Sequence, residues 1–174
     1  NVMTIALTAV APKSHNAQAR MRDRGAAAAG ASVGGDGWLM GAHDIVRPMP
    51  VPAPSANARA VVTGASQNIG EALAVELAAR GHHLIITARR GEVLEALAER
   101  LREQYGVTVE VRAVDLADPA ARGELCDELA AREISILCAN AGTATFGPVA
   151  TLDPAEERKQ VQLNVLGVHD LVLA

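Results

Sequence analysis

The sequence predicts an α/β fold built on a doubly wound parallel sheet, and three observations carry that expectation. From Ala60 onward, short apolar runs alternate with amphipathic stretches in the order β-α-β-α-β-α-β-α, with brief connections. The chain is 49% hydrophobic but only 2% aromatic, with Trp38, Tyr105 and Phe146 as its aromatic residues. A core of Ala, Val, Leu and Ile suits helices packed on a buried parallel sheet better than an aromatic-rich sandwich. A glycine-bearing turn, T-G-A-S-Q-N-I-G (Thr63–Gly70), follows the first apolar run.

Each element follows from its own residues. Val61–Thr63 is the first strand. Ile69–Arg80 is a helix with Ile69, Leu73 and Leu77 expected on one face, and Gly81 ends it. His83–Thr87 is the second strand. Glu92–Gln104 is a helix whose apolar stripe is Leu94, Leu97 and Leu101. Val107–Val114 is the third strand, with alternation in V-T-V-E-V. Asp118 as N-cap and Pro119 at the first helical position open a helix over Pro119–Ala131. Ile134–Ala139 is the fourth strand, and Asp153-Pro154 opens a last helix that runs to the end of the chain.

Residues 1–59 read as a disordered or non-native leader. They lack a sustained period, and Gly25–Gly37 and Pro48–Pro54 have flexible and extended compositions. They hold six basic side chains against three acidic ones, a net +3, leaving −7 for residues 60–174 within an overall −4. Ile5–Val10 and Ala17-Gln18-Ala19 match a signal peptide weakly, since no basic segment precedes the run and Pro12-Lys13 interrupts it. Met49 is a candidate natural start, which mass spectrometry of natively produced protein would test.

The acidic balance argues against a nucleic-acid partner, which usually meets a basic patch. No apolar run approaches the roughly 18–20 residues needed to cross a membrane. Cys126 and Cys138 lack metal-ligand or disulfide spacing, so no metal site is expected and a reducing compartment, the cytoplasm, is the default.

Open parallel sheets bind ligands at the carboxyl ends of their strands, and the Thr63–Gly70 turn lies there. Gly64 lets the backbone approach a pyrophosphate, and the amides opening the next helix supply donors and partial positive charge. Gly70 allows close packing of helix on strand. On its own, this spacing also fits a tight strand-to-helix corner. The turn resembles that of the short-chain dehydrogenase/reductase family, which reads T-G-x-x-x-G-x-G. Thr63, Gly64, Ile69 and Gly70 match, while Asn68 stands where the family has its middle glycine. Asn is the residue besides Gly that best tolerates a left-handed backbone, so the loop survives the exchange.

Three further strand ends strengthen the resemblance, and the four signals span Val61 to Asn164. T-A-R-R (Thr87–Arg90) offers Arg89 first and Arg90 second where an NAD site would place a carboxylate, and no acid occurs from His82 through Gly91. The resemblance therefore implies NADP(H), with guanidinium groups on the 2′-phosphate. V-D-L (Val114–Leu116) implies adenine contacts from Asp115 and the Leu116 backbone. C-A-N-A-G (Cys138–Gly142) supplies Asn140, Ala141 and Gly142, which in the family stabilise the central sheet and line the cofactor ribose. Ser66 and Gln67 are within the turn and are expected to reach the ribose or phosphates. The implied architecture is a Rossmann-type sheet.

The family transfers hydride between a nicotinamide and a carbonyl or alcohol carbon, assisted by Ser, Tyr-x-x-x-Lys and an Asn. Asn164 in V-Q-L-N-V-L-G matches that catalytic Asn. Tyr105 is the sole tyrosine and Val109 stands four residues later, so no Tyr-x-x-x-Lys occurs; Lys13 and Lys159 are the only lysines. The expectation is a Rossmann portion truncated after the fourth strand and its following helix, binding a small carbonyl or alcohol substrate's cofactor but inactive alone. A homo-oligomer is expected for the full-length protein. The family's sheet order places a further strand beside Ile134–Ala139, so that edge is expected to be exposed and the isolated chain unstable or oligomeric. A non-catalytic nucleotide-binding module is the alternative. A methyltransferase would want an acid where Arg89-Arg90 stands, and an NTPase loop would want Lys-Ser/Thr after its glycines.

Overall fold

The computed structural model describes residues 6–9 and 51–174. Ala17–Ala19, Gly25–Gly37 and Met49 lie outside the described residues. The elements are β1 (Ala6–Ala9), β2 (Arg59–Thr63), α1 (Asn68–Ala79), β3 (Leu84–Ala88), α2 (Gly91–Tyr105), β4 (Val109–Ala113), α3 (Pro119–Ala130), β5 (Ile134–Ala139), α4 (Pro154–Val161) and α5 (Gly167–Leu173). A single π turn, Gln162–Leu166, joins the last two helices.

The five strands lie in the order β1-β5-β2-β3-β4, with β5, β2, β3 and β4 mutually parallel. From β2 in the centre the chain winds outward through β3 and β4, then crosses to β5 on the other side. This places the switch of winding direction between β2 and β5, where open sheets form their ligand crevice.

Alternate strand residues face opposite layers, as strand geometry requires. Ala60, Val62, Leu84, Ile86, Ile136 and Cys138 pack against Ala74 and Leu77 of α1 and Leu94, Leu97 and Leu101 of α2. Val61, Ile85, Leu137 and Ala139 pack against Leu125 and Leu129 of α3 and Leu171 of α5. Each fully buried Leu, such as Leu94 or Leu101, contributes about 2 kcal/mol of apolar burial.

The helix signals are used as read. Asp118 Oδ1 accepts from the Ala120 and Ala121 amides, and Asp153 Oδ1 accepts from Ala155. Gly81 takes φ +88° just past α1.

Four expectations are corrected. Ile69 is 40% exposed, and the stripe of α1 that faces the sheet is Gly70, Ala74, Leu77 and Ala78. Contact between Gly70 and the turn sets this rotation, described below. The third strand is shorter than Val107–Val114 and runs Val109–Ala113. The last helix is interrupted at Gln162–Leu166, and Val161, Val165, Val172 and Leu173 on it are exposed. Finally, the β5 edge is not open: β1 pairs with it antiparallel in the register Ala6↔Ala139 to Ala9↔Ile136. The pairing is between backbones, which is why a four-residue strand far away in sequence suffices.

Candidate functional site

The glycine turn leaves β2 at the switch point. Gly64 has φ +67°, and a Cβ on it would stand 2.9 Å from Ala141 Cα. Asn68, with φ 51°, is the only residue besides glycine with positive φ among the described residues. It occupies the left-handed conformation expected of it. Gly70 is more tightly held, since a Cβ there would lie 2.1 Å from the Gly64 carbonyl oxygen. Glycine at both positions lets α1 begin directly against the strand it follows.

The first turn of α1 has no side-chain cap. Gln67 is the N-cap in extended conformation, yet its side chain bonds none of the helix amides. Instead Gln67 Oε1 accepts from Arg90 Nη2 at 2.8 Å, and Arg90 also donates to the Ser66 carbonyl and hydroxyl. The opening amides of α1 therefore remain as donors, with the partial positive charge of the helix end behind them. Free amides and partial positive charge are what an anion would pair with.

Arg89 is exposed and makes no side-chain hydrogen bond among the described residues, while Arg90 is engaged with the turn. Both stand at the end of β3, and Arg90 reaches Ser66 and Gln67. The structure thus assembles a cationic rim around the turn with no carboxylate in the same segment.

The fourth parallel strand is stitched to the first by Thr63. Its buried hydroxyl accepts from the Asn140 and Ala141 amides, each at 2.9 Å, and donates to the Cys138 carbonyl at 3.4 Å. Asn140 Nδ2 donates a second bond, to the Thr63 carbonyl, at 3.1 Å. Asn140 therefore acts first as a cross-link of the central strands.

Asp115 lies at the end of β4, exposed, with Oδ1 accepting from the Ala117 amide at 3.0 Å; Leu116 is buried. Gly142 is exposed and lies against Asn164, whose Oδ1 would be 3.4 Å from a Cβ at that position. Asn164 sits in the π turn and clasps Thr143 through both backbone groups. Its Oδ1 accepts from the Thr143 amide at 3.0 Å and its Nδ2 donates to the Thr143 carbonyl at 2.7 Å. So Gly64–Gly70, Arg89-Arg90, Asn140–Gly142 and Asn164 gather along the carboxyl ends of the sheet.

Two contributors were not apparent from the sequence. Thr143 supplies only its backbone, and Gln162 opens the π turn; neither carries a local motif. Among the described residues, no three His, Cys, Asp or Glu side chains are placed to hold a metal, and no helix is long and apolar enough to cross a membrane. Burial pushes the free Cys126 and Cys138 thiols up from their ordinary range.

The family model for short chain dehydrogenase matches residues 58–174. An uncharacterized oxidoreductase, YmfI of Bacillus subtilis, is 33% identical over 116 residues, covering 66% of this chain and 48% of the relative. The 3-dehydrosphinganine reductase TSC10A of Arabidopsis thaliana is 31% identical over 130 residues, covering 75% of this chain and 39% of the relative. The solved short-chain dehydrogenase from Sphingobium yanoikuyae, in complex with NADPH, superposes with a TM-score of 0.63 at 35% identity, over 67% of this chain and 46% of that one. The chain spans less than half the length of each of these relatives.

Proposed function

We propose, from the premise that this chain belongs to the short-chain dehydrogenase family, that it is the cofactor-binding part of an NADP(H)-dependent oxidoreductase. The reaction is hydride transfer between the nicotinamide and the carbonyl or alcohol carbon of a small molecule. One observation carries the reading: an uncapped helix N-terminus is met at its Gln67 N-cap by Arg90, which follows Arg89 in a segment without an acid. The first suits a pyrophosphate and the second a 2′-phosphate. The NADPH held by the Sphingobium relative supports the same cofactor.

In this reading Gly64, Asn68, Ile69 and Gly70 shape the pyrophosphate turn. Ser66, Gln67, Arg89 and Arg90 hold the phosphorylated ribose. Asp115 and the Leu116 backbone hold the adenine, and Asn140, Ala141 and Gly142 line the ribose nearer the nicotinamide. Bound cofactor supplies or accepts the hydride. Asn164 is assigned to support proton movement at the substrate oxygen.

Tyr105, the sole tyrosine, ends α2. That is one helix length, about 20 Å, from the carboxyl end of the sheet, where the turn lies. We therefore expect this chain to bind nucleotide without turnover. A homo-oligomeric full-length protein, acting without nucleic acid or membrane, completes the proposal. Free thiols fit a reducing compartment, and the cytoplasm is the proposed location.

Titrating the chain with NADPH and NADH by nicotinamide fluorescence tests the reading. NADPH should bind more tightly, and Arg89→Asp should weaken NADPH about 30-fold, the equivalent of losing roughly 2 kcal/mol of charge-assisted bonding. Equal affinities unaffected by Arg89→Asp would overturn the NADP(H) assignment.

A further inference from the structure

The first turns of a helix are an unfavourable place for a cation, because the exposed amides there carry partial positive charge. Arg122 nevertheless lies four residues after the Asp118 cap of α3 and is only 4% exposed. Three partners from three separate segments satisfy it. Nε donates to Asp170 Oδ2 of α5 at 2.7 Å, Nη1 to the Leu116 carbonyl at 2.8 Å, and Nη2 to Gln162 Oε1 at 3.3 Å.

These partners have consequences for the site. Leu116 belongs to the loop after β4, next to Asp115. Gln162 begins the π turn, and its carbonyl accepts from the Gly167 amide five residues on. A π turn is a local change of helix register, a feature often found at functional sites. Asn164 lies inside it, tied to Thr143. Gly167 faces the same loop, for a Cβ there would meet the Gln162 carbonyl oxygen at 3.4 Å and that of Leu116 at 3.7 Å. One buried guanidinium thus joins the Asp115-Leu116 loop to the residue where the register of the Asn164 helix changes.

We propose that Arg122 is a positioning residue that couples the adenine end of the nucleotide site to the π turn carrying Asn164. Filling the adenosine half of the site then fixes the helix at its other end. Arg122 itself need touch neither the nucleotide nor Asn164. The proposal rests on the NADP(H) reading above.

The test is hydrogen exchange on the full chain, with and without saturating adenosine 2′,5′-bisphosphate, a probe that lacks the nicotinamide half. Exchange of the Gln162–Gly167 amides should slow at least about fivefold on binding, the lower end of coupling between distinct sites. Arg122→Gln should bind the probe more weakly and lose that slowing, Arg122→Lys should recover part of it, and Gln162→Leu should lose it while keeping the Asp170 and Leu116 bonds. A wild-type chain that binds the probe without slowing at these amides would overturn the coupling and leave the NADP(H) reading standing. So would an Arg122→Gln chain that melts lower yet slows as the wild type does. If Arg122→Gln does not fold, the wild-type and Gln162→Leu measurements decide. A folded wild-type chain that binds neither the probe nor NADPH would overturn both readings together.

Discussion

Thr63 and Asn140 bond to each other twice, with Asn140 the donor each time: its backbone amide donates to the Thr63 hydroxyl, and its side chain donates to the Thr63 carbonyl. The residue that ends the first parallel strand and the one that follows the last are thereby held in fixed relation, across the crevice where a dinucleotide is proposed to lie.

Thr63→Val should expose the importance of that relation. The replacement keeps the shape but leaves the Ala141 amide without its acceptor. A loss of about 2 kcal/mol in denaturant unfolding is expected, with Thr63→Ser recovering most of it. An unchanged midpoint for Thr63→Val would contradict this.

Gly70 has no room for a methyl group. Gly70→Ala would drive a Cβ into the Gly64 carbonyl, and both are backbone, so α1 must shift. We expect about 3 kcal/mol of destabilisation and loss of NADPH binding in the fluorescence titration.

At Asn68 the strain is smaller and differs in kind. Its φ of 51° asks for Gly or Asn. Asn68→Gly should leave the melting temperature and NADPH affinity nearly unchanged, whereas Asn68→Ala should cost about 1 kcal/mol. Equal melting curves for the two variants would show that the turn relaxes.

Acid should weaken the fold through a charged cluster at the opposite side of the sheet from the turn. Glu110 of β4 accepts from Arg59, Arg112 and Arg132, and Glu128 of α3 pairs with Arg112 and Arg132. Burial alone would raise the Glu110 carboxyl, but the Arg132, Arg59 and Arg112 bonds outweigh it and hold it below its ordinary 4.5. Hydrogen bonding from Arg112 lowers Glu128 likewise. A folded-state value below the unfolded one means this stabilisation is complete above about pH 4.5 and is lost as pH falls through the lowered values. Glu110→Gln should cost about 1 kcal/mol at pH 7 and give a shallower decline of melting temperature below pH 5.

Elements whose signals are local were legible in the sequence. Asp118-Pro119 and Asp153-Pro154 start helices, Gly81 and the Leu94–Leu101 stripe behave as read, and Asn68 takes the conformation its chemistry permits. The strand-end residues of the candidate site were legible for the same reason, because each occupies a fixed offset from an apolar run. Contacts between distant segments were not. The turn-to-helix contact at Gly70, not the apolar count, chose which face of α1 is buried, so Ile69 was misplaced. Arg122 and Gln162 carry no motif, and their partners come from other elements. The π turn left no mark in the apolar pattern, because its cause is register rather than composition.

The pairing of β1 with β5 has a kinetic side. The β2–β3 and β3–β4 ladders join neighbours in the chain, whereas β1 meets β5 by bringing residue 6 to residue 139. Loop-closure entropy grows with the logarithm of the intervening length, making this closure about 1.5 kcal/mol more costly than that of β2 on β3. The parallel ladders should therefore form first and β1 should dock last. Until it does, an apolar strand waits with one flank of amides and carbonyls unpaired, and another chain's strand can take the place. Refolding yield should thus fall as protein concentration rises, and dilution or slow release from denaturant should restore it. Yield independent of concentration would mean that the edge is covered early.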